Sequence, residues 1–199
     1  MTFRDILQPS FWFGLILGGL LGALTVQGLQ RDWLPAAPPV DERPLTVRHD
    51  AKGDGRFMAP RSGNRFHRGI DLVAPLNSPV RAIRRGTVVQ VGTHLGFGRF
   101  IELKHPHDLR SLYAHLNDVT VQPGQRVKQG QEIGTLGKTG NARSRLVAPH
   151  LHLEVWKHDV PIDPNSLGLR AVEPPAHPGA PEPAGAEEPN ESSDARGDE

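Results

Sequence analysis

Six short runs of β-forming residues occupy the middle of this chain, at 80–83, 87–91, 100–104, 112–115, 132–136 and 150–156. Glycine, Pro-Gly and Gln-Gly signals separate them, and nothing in the stretch repeats at the helical period. The pattern limits the fold to an all-β class, an antiparallel β-sandwich or partly open barrel. A domain over 45–168 is long enough to enclose one core without disulfides. The chain has no cysteine to form them.

The last run carries chemistry. Pro149-His150-Leu151-His152-Leu153-Glu154-Val155-Trp156 alternates polar and apolar residues, so it reads as a strand. Side chains two apart on a strand share a face, which aims His150 and His152 into the same space. One imidazole can bind a zinc ion while the other reaches the water or the substrate. Spacing alone does not say which does which. Glu154 projects on that face too, either as a partner that orients an imidazole or as a surface carboxylate at a strand end.

A second pattern, His67-Arg68-Gly69-Ile70-Asp71, lies about eighty residues upstream. In a straight strand His67 and Asp71 would stand ~13 Å apart, too far to share an ion. Gly69 and the following Val73-Ala74-Pro75 argue against a helix. A bend at Gly69, with Asp71 on the strand after it, brings the two together. Two imidazoles and a carboxylate leave one position of a tetrahedral zinc shell open, the catalytic arrangement. Without cysteine, closed thiolate sites are excluded. His105-Pro106-His107 copies the His-x-His spacing, but proline there marks a turn, so no ligand role is expected. His49, His94, His158 and His177 fall in loops or linkers and carry no assigned role.

The surrounding motifs follow in a definite order. Phe66-His67-Arg68-Gly69-Ile70-Asp71-Leu72 precedes Ser78-Pro79-Val80-Arg81-Ala82 and Gly86-Thr87-Val88-Val89. Then come Gly96-Phe97-Gly98, Ser111-Leu112-Tyr113-Ala114-His115-Leu116, Val121-Gln122-Pro123-Gly124 and Gly137-Lys138-Thr139-Gly140-Asn141. Pro149-His150-Leu151-His152-Leu153-Glu154-Val155 and Ile162-Asp163-Pro164 close the series. From about Gly53 to Pro164 the chain resembles the lysostaphin/LytM-type zinc metallopeptidases, the murein endopeptidases.

The resemblance implies that His67, Asp71 and His152 hold Zn2+ and that His115 and His150 are the catalytic histidines. It implies hydrolysis of peptide bridges or stem peptides of bacterial peptidoglycan. Relatives that have lost ligands serve instead as non-catalytic activators of other wall hydrolases. Here all five positions are intact. Asn77-Ser78 and Leu146-Val147-Ala148 depart from the family's usual Gly-Thr and Ser-Thr-Gly runs, and the second departure bears on substrate preference. No His-Glu-x-x-His helix supplies a glutamate base, so His115 and His150 together must move protons and steady the oxyanion. The stretch from Gly124 to Gly134 also resembles the hairpins of lipoyl and biotinyl carriers, a barrel-sandwich hybrid. Lys128 and Lys138 lack the Asp-Lys or Met-Lys setting that a carrier needs.

Residues 11–29 form an uncharged, mostly apolar run of nineteen. As a helix it would span ~28 Å, close to the hydrocarbon thickness of a bilayer. With no clear small-x-small cleavage site after it, the run reads as a retained single-pass anchor behind a short segment, 1–10, rather than a removed signal peptide. Gly14, Gly18 and Gly22 recur every fourth residue, a spacing that lets two such helices approach as a homodimer. Arg4 on one side and Arg31 and Arg43 on the other leave orientation unmarked. The resemblance puts the catalytic domain outside the inner membrane, in the cell envelope.

The proline-containing segment 30–44 reads as a stiff spacer. The tail 169–199, with eight acidic against two basic residues, reads as disordered. The segment 45–168 holds eighteen basic against ten acidic residues, so a net charge of +1 conceals a basic domain. That charge suits an anionic wall polymer or is ordinary solvated surface. The basic residues are scattered and no nucleic-acid motif is present, so no nucleic-acid partner is expected.

Overall fold

The computed structural model describes residues 35–173. These form thirteen strands: β1 (His49–Asp50), β2 (Gly53–Asp54), β3 (Pro60–Arg61), β4 (Arg65–Phe66), β5 (Gly69–Val73), β6 (Pro79–Arg81), β7 (Gly86–His94), β8 (Gly98–Lys104), β9 (Leu109–Val119), β10 (Arg126–Val127), β11 (Glu132–Leu136), β12 (His150–Lys157) and β13 (Val160–Ile162). Two 3-10 turns, Gly140–Arg143 and Pro164–Leu167, complete the described elements. The all-β expectation holds, with every paired strand antiparallel.

Nine strands make one sheet that branches rather than closing into a barrel. Its main path runs β10-β7-β8-β9-β11-β6, and β12 joins at β9 with β5 and β13 on its other side. The branch point is β9, longer than the 112–115 run expected from sequence. Its first half, Leu109 to Ala114, pairs with β12. Its second half, from Leu116 onward, pairs with β11. His115 stands between the two, at φ 65°.

Alternation places the core. On β12, Leu151, Leu153 and Val155 are fully buried, as are Ile70 and Leu72 of β5 opposite them. Each such side chain contributes roughly 1.5–3 kcal/mol by leaving water. The other face of β12 carries His150, His152 and Glu154, and it is buried as well. An alternating strand usually turns its polar face to solvent. A covered polar face must instead be satisfied by partners, and those partners are the site.

The edges of the domain differ from the sequence-based boundaries. Residues 35–44, assigned to a spacer, pack on the sheet: Val40 is fully buried, and Ala36 and Leu45 join the core. Ala36 N–H bonds the Leu167 carbonyl, Ala37 N–H the Ile83 carbonyl, and Arg81 N–H the Pro39 carbonyl. At the other end Leu169 is buried and Val172 pairs with Thr46, so 169–173 belongs to the domain rather than to a tail. No helix among the described residues is long and apolar enough to cross a membrane. The run 11–29, with Gly14, Gly18 and Gly22, lies outside the described residues, as does the rest of the acidic tail.

Candidate metal centre and active site

Asp71 and His152 face each other directly across the β5–β12 pair, so strand register alone brings them together. His67 arrives from the turn just before β5. Gly69 makes that approach possible, though not through a left-handed bend: a Cβ there would overlap the Leu153 carbonyl oxygen. The expected bend is therefore a close backbone crossing.

The three side chains converge tightly. His67 Nε2 lies 3.0 Å from His152 Nδ1 and 3.2 Å from Asp71 Oδ1, and His152 Nδ1 lies 2.8 Å from the same oxygen. Each outer ring nitrogen has a partner of its own. His67 Nδ1 donates to the Arg56 carbonyl at 2.8 Å, and His152 Nε2 donates to Glu154 Oε1 at 3.2 Å. With those hydrogens placed outside, two imidazole lone pairs and a carboxylate oxygen point at one another. Three acceptors held together in a buried space need a cation between them. Their separations approach the ~3.3 Å edge of a tetrahedral shell with bonds near 2.0 Å, so this group can hold a zinc ion. When no ion binds, a proton takes that role. Burial works against a charged His152, but Asp71 and Glu154 outweigh it and raise the imidazole to about 9. Burial likewise opposes the Asp71 charge, yet the bonds from His152 and His67 hold its carboxyl well below the usual range.

His115 and His150 have a different character. Burial first, and neighbouring imidazoles second, push His115 down to about 3. Burial also lowers His150 against the pull of Asp71. Both rings are thus neutral, and each is pinned at Nδ1 to a backbone carbonyl: His115 to Thr139 at 2.9 Å, His150 to Ala148 at 2.7 Å. That fixes the tautomer and leaves each Nε2 with a lone pair. The rings sit 4.9 Å apart, edge to face.

A β-bulge aims His115. Tyr113 pairs with Ile101 and Leu116 with Arg99, so β9 has one residue more than β8 across this interval. The positive φ at a residue with a Cβ is a local strain, held by His115 N–H to the Phe97 carbonyl at 2.8 Å and Gly137 N–H to the His115 carbonyl at 3.0 Å. The Thr139 hydroxyl bonds Arg99 N–H and the Leu116 carbonyl, steadying the carbonyl that receives His115.

Several contributors escaped the sequence reading. Arg48 is buried beside the metal group, with Nη2 3.0 Å from Asp71 Oδ2 and Nη1 2.6 Å from Asp50 Oδ1. Asp50 Oδ2 in turn accepts from Ala148 N–H at 3.0 Å. The β1–β2 hairpin therefore holds both Asp71 and the segment before His150. Glu154 proves to be the orienting partner and not a surface group: it is buried and also accepts from Trp156 Nε1 at 2.9 Å. His94 lines the cleft, where Phe97 stacks on His152 at 5.7 Å. The orienting role of Glu154 is one of the two readings its strand face offered, whereas for Arg48 the i+2 spacing to Asp50 is the sole sequence signal. His105 and His107 stand outside the metal group. The cleft above the five residues has a volume of about 420 Å³.

The fold and this site define a class. Residues 65–164 match Peptidase family M23, and the chain belongs to that family. It is 36% identical over 115 residues to the peptidoglycan DD-endopeptidase ShyC of Vibrio cholerae, covering 57% of this chain and 26% of that protein. It is 38% identical over 111 residues to a lipoprotein NlpD/LppB homologue of Pseudomonas aeruginosa, covering 55% of this chain and 35% of that one. Among solved structures, a zinc-containing peptidase from Vibrio cholerae aligns with TM-score 0.53 and 31% identity, over 71% of this chain and 41% of that chain. This chain thus spans about a quarter to a third of the length of those two curated relatives.

Proposed function

We propose that this chain is a zinc-dependent endopeptidase that cuts peptide bonds in bacterial peptidoglycan, with His67, Asp71 and His152 as metal ligands. The convergence of His67 Nε2, His152 Nδ1 and an Asp71 carboxylate oxygen in a buried space is the observation that carries the reading. A bound zinc ion would supply Lewis-acid polarisation of the scissile carbonyl and of water. Everything else comes from the chain. Arg48 occupies Asp71 Oδ2 and so keeps Oδ1 turned inward. Glu154 fixes the His152 tautomer and ring orientation. His115 and His150, neutral and pinned at Nδ1, each offer Nε2 to take a proton from the attacking water. The imidazole that gains it becomes the donor for the departing amine. Phe97 shields one side of His152 from solvent.

The names of its relatives support a place in the cell envelope, and the apolar run 11–29 supports a membrane anchor there. The test is fragment release from purified peptidoglycan by the full chain, read by mass spectrometry with zinc and with chelator. New peptide ends that appear only with zinc, and vanish in His115→Ala, are expected. Intact walls with zinc demonstrably bound would overturn the reading.

A further inference from the structure

The polar face of β12 does not end at Glu154. Residues two apart on a strand share a face, so Trp156 continues the line of His152 and Glu154. Trp156 is paired on both flanks, to Arg110 of β9 and Pro161 of β13, which fixes its backbone inside the sheet. Its indole N–H donates to Glu154 Oε2 at 2.9 Å, while Glu154 Oε1 accepts from His152 Nε2 at 3.2 Å. One buried carboxylate thus serves two side chains, with one oxygen for each.

A third group contends for it. Arg68 Nε stands 3.6 Å from Glu154 Oε1, the oxygen that His152 uses. A guanidinium beside a carboxylate favours a two-bonded fork, and such a fork would draw Glu154 away from His152. Here the contact stays a single ion pair, longer than a hydrogen bond. Two features of Trp156 oppose the fork. Its N–H occupies Oε2, the second oxygen that a fork needs. Its ring lies under the Arg68 guanidinium, 5.1 Å from the centroid, and gives the cation another partner. Arg110 is also over the ring, at 5.9 Å, but it is held by Glu102 at 2.8 Å and Asp159 at 2.6 Å.

We propose that Trp156 is a positioning residue of the metal site, holding the Glu154 carboxylate on His152 and keeping it from Arg68. The inference rests on the reading of His67, Asp71 and His152 as zinc ligands. Phenylalanine at this position would keep a ring under Arg68 and lack the donor, so it isolates the hydrogen bond.

Zinc affinity of the full chain, read by chelator competition, should fall about fivefold in Trp156→Phe, a smaller loss than altering Glu154 itself. Arg68→Gln removes the contender. It should recover most of that loss in the Trp156→Phe background and shift affinity by less than about twofold with Trp156 present. A mere packing defect at Trp156 would leave the two substitutions independent. Unchanged affinity in Trp156→Phe, or an Arg68→Gln effect equal in both backgrounds, would overturn the proposal. A measurement on the unaltered chain covers a Trp156→Phe chain that does not fold. Coupling is reciprocal, so zinc should slow hydrogen exchange at the Trp156 indole N–H by about the same factor. Equal exchange rates with and without zinc would also overturn it. A wild-type chain that binds no zinc would sink the metal reading together with this one, whereas zinc binding indifferent to Trp156 would sink this inference alone.

Discussion

Two buried groups built around histidine lie beside neighbouring strands of this sheet, β12 and β9, and they solve opposite problems. The first is the group of His67 and His152 around Asp71. The second is centred on His105, also buried, with Nδ1 2.8 Å from the Arg85 carbonyl and Nε2 2.7 Å from Ser111 Oγ. Ser111 Oγ lies 3.0 Å from the Tyr113 hydroxyl, which accepts from Ile83 N–H at 2.9 Å. Hydroxyl hydrogens rotate to suit, so Tyr113 can donate to Ser111 and Ser111 to His105, and His105, Ser111 and Tyr113 are all satisfied. In the first cluster the outer nitrogens also reach partners, yet the inner atoms are all acceptors. Burial and hydrogen bonding look alike in both. The balance of donors over acceptors separates a structural histidine from one that can hold a cation.

The sharpest way to break this contrast is to remove the shared carboxylate. Asp71→Ala should lower zinc affinity more than ~100-fold, measured by competition with a chromogenic chelator. Zinc at saturating excess should raise the melting temperature of the wild-type chain and leave that of the variant unmoved. A thermal shift of equal size in both would show that zinc binds elsewhere.

His105→Leu should do the reverse. It strands the Ser111 hydroxyl and the Arg85 carbonyl, at a cost of about 3 kcal/mol in denaturant unfolding. Its zinc affinity should match wild type. A large loss of zinc affinity in a folded His105→Leu chain would merge the two clusters into one network.

Acid should find the satisfied cluster through stability. Burial, outweighing the Arg85 carbonyl, lowers His105 to about 4, against an ordinary value of 6.5. The unfolded chain therefore binds the proton more readily. The stabilisation is intact above pH 6.5, declines as pH falls, and is gone near 4. Between pH 7 and 5 the loss from this group is about 2 kcal/mol. Subtracting the same measurement on His105→Gln isolates it. An identical pH slope in that variant would remove His105 as the cause.

The smallest effect tests how finely the metal group is oriented. Glu154→Gln keeps shape and still accepts a hydrogen bond from His152, but loses the negative charge. Zinc affinity should fall about tenfold, read by the same chelator competition. No change would make Glu154 a packing residue.

Much of the fold was legible because strand alternation is a local signal. The run at 132–136 coincides with β11, and that at 150–156 falls one residue short of β12. The domain edges were not legible. Proline in 35–44 reads as an extended linker, yet an extended chain is also what lies along a sheet edge, and burial of Val40 depends on neighbours distant in sequence. The role proposed for His115 came only from a family resemblance. Its strained backbone and the bulge that aims it arise because β9 pairs with β12 on one side of that residue and with β11 on the other. No window around Tyr113-Ala114-His115 contains that information.

The sequence alone determined that His150, His152 and Glu154 share one face, since side-chain direction along a strand has a period of two and needs no partner to be known. Tertiary structure decided what that face meets. The antiparallel register of β5 sets Asp71 opposite His152 where a slip of one residue would turn it into the core. The hairpin from His49 to Asp54, together with Arg48, closes behind it, outside the stretch that matches the family. A site of this kind is made of pairings between segments as much as ninety-eight residues apart, such as Asp50 and Ala148. Such pairings follow from which faces must be buried together, and only the folded chain resolves that.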